Sequence, residues 1–187
     1  MKCSVFIATS VDGFIAKNDG NVDWLHTAGN LEADMGEHAD MGMTEYMASV
    51  DCMIIGRKCM EMISSMNLTA EQWPYGDTRI IVLSNTLKYA PDNIKDKVEL
   101  YSGDLNTLIS RLETEGHRHA YIDGGTTIQA FINLQLINEM TITRAPVLLG
   151  EGIALFGKTF KDIKLEQAQA IAYPNGFVQE KYRVNYL

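Results

Sequence analysis

Short apolar blocks, several of them alternating with polar residues, recur along the chain between turn-forming residues. They predict strands near Lys2–Ala8, Cys52–Ile55, Arg79–Ser84, Val98–Tyr101, Ala120–Ile122 and Met140–Ala145, with two more near Leu165–Tyr173 and Phe177–Val184. The last two flank Pro174-Asn175-Gly176, a strong hairpin signal. Apolar residues at helical spacing predict helices over Met41–Ser49, Lys58–Ser65, Leu105–Glu115 and Thr126–Asn133, with Asp104 placed to cap the third. Strands and helices alternate through the middle of the chain and a hairpin closes it. The expected fold is therefore α/β: one mostly parallel sheet flanked by helices, with antiparallel strands at its C-terminal edge. No repeat, linker or low-complexity stretch interrupts the pattern. The 187 residues are read as a single domain, 1–187.

Composition narrows the partners. Apolar residues make up 46% and charged residues 21%, ordinary for a globular protein. No run reaches the roughly 20 apolar residues of a membrane span, and the N-terminal MKCSVFIATSVDG reads as a first strand rather than a leader. The cysteines are Cys3, Cys52 and Cys59, odd in number and without a CxxC pair. That argues for a reducing cytoplasm and against a disulfide framework or a thiolate metal site. A net charge of −8 excludes a broad nucleic-acid surface. An anionic ligand would have to be held by local cations or backbone amides.

Three strand ends supply such places. In Tyr121-Ile122-Asp123-Gly124-Gly125-Thr126-Thr127 a strand passes through paired glycines into a helix. Glycine permits close approach and positive φ, and a helix N-terminus offers unpaired N–H groups and partial positive charge. The same residues equally make a tight turn with threonine caps. In Ile54-Ile55-Gly56-Arg57-Lys58-Cys59 the logic repeats, with two cations in the first helical turn, where charge of that sign is unfavourable unless an anion binds. In Val82-Leu83-Ser84-Asn85-Thr86 a strand ends in small hydrogen-bonding residues, able to hold phosphate oxygens or to form a turn. Ligands of open α/β sheets collect at the carboxyl ends of strands. Neither GxGxxG nor GxxxxGK[ST] is present.

Other chemistry is sparser. Asp12 orients a loop or substrate, or simply shapes the turn Val11-Asp12-Gly13. His26 and His38 are ligand-side or surface residues, and His117 and His119 lack metal-ligand spacing. Cys59, at a helix start, is read as a packing or cofactor-lining residue rather than a nucleophile. Eight of the ten methionines lie between Met35 and Met66, as plastic core or as a soft pocket for a ring. Trp73-Pro74-Tyr75-Gly76 is a lid or a core cover.

In order, SVDGFIA (Ser10–Ala16), VDW (Val22–Trp24), IIGRKCME (Ile54–Glu61), RIIVLSN (Arg79–Asn85), YIDGGTTIQAFI and INEMTITRAPVLLGEGIALF (Ile137–Phe156) resemble the dihydrofolate reductase-like superfamily. The closest branch is the C-terminal reductase domain of the bifunctional riboflavin-biosynthesis deaminase/reductase and its stand-alone relatives. The resemblance implies an NADPH-dependent reductase acting on a small heterocycle, pteridine- or pyrimidinone-like; a cofactor-binding module without turnover is the alternative. It implies Ala8 and Ile15 at the nicotinamide, Asp12–Trp24 as a loop closing over it, and Gly56, Arg57, Lys58 and Cys59 at phosphates, Arg57 at the 2′-phosphate. It places Leu83, Ser84 and Asn85 at the adenosine ribose phosphate, and Gly124, Gly125, Thr126 and Thr127 at the pyrophosphate. Folate reductases carry an acid on the first helix; an ungapped count back from Gly56 puts Asp40 there, with Asp34, Glu37 and Glu45 as alternatives. The riboflavin-pathway substrate bears a ribose phosphate and would need further cations, and no second basic cluster is evident. Relatives of this branch are commonly dimers, so a homodimer is expected, with the terminal hairpin as its interface.

Overall fold

The computed structural model describes residues 1–187. An eight-stranded sheet runs in the order β5-β4-β3-β6-β1-β7-β10-β9. Its strands are β1 (Lys2–Ser10), β3 (Cys52–Gly56), β4 (Arg79–Leu83), β5 (Val98–Tyr101), β6 (His119–Asp123), β7 (Glu139–Ala145), β9 (Ile163–Ala172) and β10 (Val178–Tyr186). All pairs from β5 across to β7 are parallel, and β7–β10 and β10–β9 are antiparallel. This is the expected mixed sheet with its C-terminal hairpin, which turns through Pro174–Gly176.

Burial explains the arrangement. β3 and β4 are nearly continuous apolar runs because both their faces are covered. On one face, α4 (Leu105–Thr114) and α5 (Gly125–Asn133) pack Leu108, Leu112, Ile128 and Phe131 against Val5, Ile54, Ala120 and Ile122. On the other, α3 (Arg57–Ser65) packs Met60 and Ile63 against Met53, Ile55, Val82 and Tyr121. Asp104 caps α4, accepting from the Thr107 amide at 2.9 Å.

Two features depart from the expected elements. β2 (Phe14–Ala16) and β8 (Ile153–Ala154) form a separate two-stranded ribbon. α1 (Trp24–Thr27) precedes α2, which spans Met43–Ser49 and starts late because Met41 and Gly42 both have positive φ, 50° and 84°. Trp24 and Ala28 pack with Ala145, Tyr173 and Phe177, joined by Met35 and Met41. The segment between β2 and α2 is thereby laid over the carboxyl end of β7 and the turn that joins β9 to β10. No helix is long and apolar enough to cross a membrane.

Candidate functional site

β3 and β6 are parallel neighbours, with Ile55 opposite Asp123. α3 leaves β3 on one face of the sheet and α5 leaves β6 on the other. The connections therefore part between these strands, making a topological switch point with a crevice at their carboxyl ends. Neither helix start carries a side-chain cap, so the first-turn amides of both face that crevice without an internal acceptor.

The glycines make this convergence sterically possible. A Cβ on Gly56 would lie 3.1 Å from Thr127 Oγ1, and one on Gly124 would lie 2.7 Å from Cys59 Sγ. A Cβ on Gly125 would meet Ile15 Cδ1 at 2.9 Å and the Ala154 carbonyl oxygen at 3.3 Å. The space beside each glycine is thus taken by the protein's own neighbours, and the helix starts are free to meet a ligand because the junctions interlock. Gly124 also sits at φ +92°, which L side chains rarely adopt. Gly124→Ala is expected to lower stability by about 3 kcal/mol through strain and overpacking together, measured by denaturant unfolding. A change within about 0.5 kcal/mol would remove the interlock.

The cofactor-side residues gather here unevenly. Arg57 and Lys58 are exposed on the first turn of α3, and Arg57 Nε lies 3.4 Å from Glu61 one turn on. That ion pair partly offsets the unfavourable position of the cation. Thr126 is exposed and Thr127 buried. Leu83 pairs with Gly56 across β4–β3, carrying Ser84 and Asn85 to the same edge. Ser84 makes a turn, its Oγ accepting from the Leu87 amide at 3.0 Å. Cys59 is no low-pKa thiol: burial, reinforced by Asp123, pushes it up to about 12. Its role is the packing contact with Gly124.

Ala8 is half-buried on β1, and Ile15 packs against the core beside Gly125. Asp12 ties the turn after β1 to the segment before β8, accepting from Gly150 N at 2.8 Å and Leu149 N at 3.2 Å. A hydrogen bond from Ser10, with those amides, holds its carboxyl below the ordinary range. Trp24 is 6% exposed and anchors the draped segment. Asp40 accepts from the amides of Gly42 (3.0 Å) and Thr44 (2.9 Å). Those bonds, led by that of the Thr44 hydroxyl, lower its pKa to about 2. Its carboxylate braces the start of α2.

The structure adds residues that sequence reasoning passed over. Asp123 ends β6, half-buried, and burial pushes its carboxyl up to about 6. Only the Gly124 amide favours its charged form, and no cation pairs with it. It is near enough to Tyr46, Cys59, Tyr75 and Tyr121 to raise the pKa of each. Phe6 stacks on Tyr46 with ring centroids 4.7 Å apart, and Tyr121 meets Tyr46 edge-on at 5.1 Å. The Tyr46 hydroxyl is positioned by a chain: His119 Nδ1 donates to Ser49 O (2.8 Å), His119 Nε2 meets Ser4 Oγ (2.7 Å), and Ser4 Oγ meets Tyr46 OH (2.8 Å). One signal was legible: an acid closing an apolar strand directly before Gly-Gly. Its lack of a partner was not.

Two other features lie at the amino ends of the strands. A cavity of about 530 Å³ is lined by Trp73, Arg79, Lys97 and Glu99, among others. Asp51, Cys52 and His117 cluster nearby. Asp51 already accepts from the Arg118 amide at 2.7 Å and contacts His117 Nδ1 at 3.2 Å, and burial pushes the Cys52 thiol up to about 12. The switch-point crevice is the candidate site because uncapped helix starts, a raised-pKa carboxyl and an aromatic wall converge there.

This sheet, with its crevice, defines a protein of the dihydrofolate reductase-like fold. A dihydrofolate reductase of Enterococcus faecalis complexed with NADP(H) and RAB-propyl superposes with a TM-score of 0.65 over 99% of this chain and 97% of its own, at 14% identity. Residues 2–179 match the family described as RibD C-terminal domain, and the chain belongs to that family. A putative riboflavin biosynthesis protein of Shewanella sp. PV-4 superposes with a TM-score of 0.88 over the whole of both chains, at 37% identity. The uncharacterized protein YwjB of Bacillus subtilis (strain 168) is 31% identical over 166 residues, 88% of this chain and 87% of its own.

Proposed function

We propose that this protein is an NADPH-dependent reductase that converts a C=N or C=O bond of a small planar heterocycle to its CH–NH or CH–OH form. One observation carries the reading: uncapped helix starts and an unpaired carboxyl of raised pKa meet at one switch point. When bound, NADPH supplies the hydride. The residues fit such a dinucleotide. The first-turn amides of α3 and α5 would hold its phosphates, Arg57 and Lys58 would select the 2′-phosphate, and Ser84 and Asn85 would frame the adjoining ribose. Ala8 and Ile15 border the nicotinamide end, while Asp12 fixes the turn between them. Phe6 and Tyr46 offer the acceptor a flat wall. Asp123, titrating near 6, retains a proton in part of the molecules at neutral pH and delivers it to the developing anion. The test is a titration with NADPH and NADH followed by nicotinamide fluorescence, then NADPH oxidation with candidate pyrimidinones and pterins. Absence of binding by either nucleotide would refute the reading.

The same proposal includes a homodimer built on the C-terminal edge. β9 ends the sheet with exposed side chains, and Phe160, 87% exposed, forms part of the lining of a cleft of about 210 Å³ together with Ile132, Ile163 and Tyr186. An exposed apolar patch beside an unpaired sheet edge suits a two-fold contact in which the same patch is presented by both copies. Solution scattering is expected to return twice the chain mass, and Phe160→Glu to halve it. A monomeric mass for the unaltered chain at micromolar concentration counts against the dimer.

A further inference from the structure

Charge is divided between the two sides of the crevice. From Asn18 to Val50 the chain contains no Lys or Arg, yet it carries Asp19, Asp23, Glu32, Asp34, Glu37, Asp40 and Glu45. This stretch walls the crevice opposite the cations of α3. Met41 O accepts from Gln179 Nε2 at 2.9 Å, the Asn30 amide donates to Asn175 O at 2.9 Å, and Tyr46 lies on Phe6. On the same sheet face, Lys2 and Lys181 are engaged by Glu139, at 2.8 and 3.9 Å.

Backbone amides are the other means of holding a phosphate, and here they are withdrawn. The amides of Asn21, Asp23, Glu32, Gly36, Gly42 and Thr44 donate in turn to side chains of Asp19, Asn21, Asn30, Asp34 and Asp40. The floor repeats the sign, since Asp123 is itself an acid without a cation. A phosphate monoester carries a charge of about −1.5 to −2 and is held by Arg, Lys or free N–H groups. The cations and uncapped amides on the first turns of α3 and α5 are those assigned to the dinucleotide.

We infer that the acceptor bound here carries no phosphate: it is a neutral or cationic planar heterocycle lying on the Phe6–Tyr46 wall above Asp123. The inference rests on the reductase reading, and it separates this chain from a reductase whose substrate bears a ribose phosphate. The test offers NADPH-loaded protein a ribosylaminouracil and its 5′-phosphate ester, at low and high salt. Calorimetry reads binding and NADPH absorbance reads turnover. The unphosphorylated compound is expected to bind at least about tenfold more tightly, with the gap narrowing as salt screens the carboxylates. Glu32→Lys, at an exposed position, is expected to tighten the ester a few-fold and leave the parent compound unchanged. Equal or tighter binding of the ester, or binding of neither compound, overturns the inference. Binding of either without turnover sinks the reductase reading, while the ratio of affinities still decides the charge of the acceptor. If NADPH itself fails to bind, that reading is lost and the ratio is measured on the chain alone.

Discussion

Asp123→Asn is expected to lower kcat/KM for NADPH-dependent reduction by about 100-fold, the low end of the range for loss of a general acid, while making the protein more stable. The two effects have one cause. Burial raises the carboxyl from 3.8 to about 6, so the native state binds the proton more tightly than the unfolded chain does. Stability from this group is therefore complete below pH 3.8 and is lost as pH rises through about 6. At neutral pH the native protein holds a charge that its surroundings disfavour, by an amount of the order of 2 kcal/mol after allowance for partial solvent contact. Asparagine keeps the shape and removes the charge. The midpoint of thermal unfolding at pH 7.5 should rise by several degrees, and the fall in stability across that pH window should disappear. In the unaltered protein any rate of NADPH-dependent reduction should decline as pH rises above about 6, since the protonated fraction falls. A variant that keeps full activity, or loses stability at neutral pH, would show that Asp123 neither donates the proton nor is strained.

Arg57→Ala is expected to weaken NADPH binding by roughly tenfold or more, since charged contacts to a phosphate are the strong ones, and to leave NADH binding nearly unchanged. The side chain is exposed and its contact with Glu61, at 3.4 Å, spans one helical turn. Such pairs contribute little, about 0.5 kcal/mol, so the fold should be unaffected and the affinity change interpretable. Because Glu61 competes with any phosphate for the guanidinium, Glu61→Gln should shift NADPH affinity the other way. Equal losses for both nucleotides on Arg57→Ala would remove Arg57 from the 2′-phosphate.

The elements of the sheet were legible because strand and helix periodicity are local. β3 and β4 read as apolar runs bounded by turn residues, the terminal hairpin announces itself at Pro174-Asn175-Gly176, and Asp104 caps α4 where its position implies. What was missed lacked local periodicity or depended on distant partners. β2 and β8 are too short to show a period, and each exists only because the other is there. α2 begins after Met41 and Gly42 because both adopt positive φ, which spacing does not encode. Along the chain Asp40 reads as a candidate substrate acid and Asp12 as either a substrate contact or a turn former; in the fold both accept from backbone amides.

By itself the sequence determined a mixed α/β sheet with glycine-marked strand ends, an acidic chain and a place where an anion could be held. Each follows from short-range chemistry: side-chain alternation, the freedom of glycine, the charge of neighbouring residues. Only the tertiary structure decided that β3 and β6 stand side by side, that Gly124 faces Cys59 and Gly56 faces Thr127, and that Asp123 is half-buried without a cation, near Tyr46 and Tyr75. These are relations between segments far apart in the chain, set by which apolar faces must be buried together. A carboxyl's pKa depends on what surrounds it in space, so the one acid of raised pKa among the chain's 24 Asp and Glu residues is distinguished only once the chain has folded.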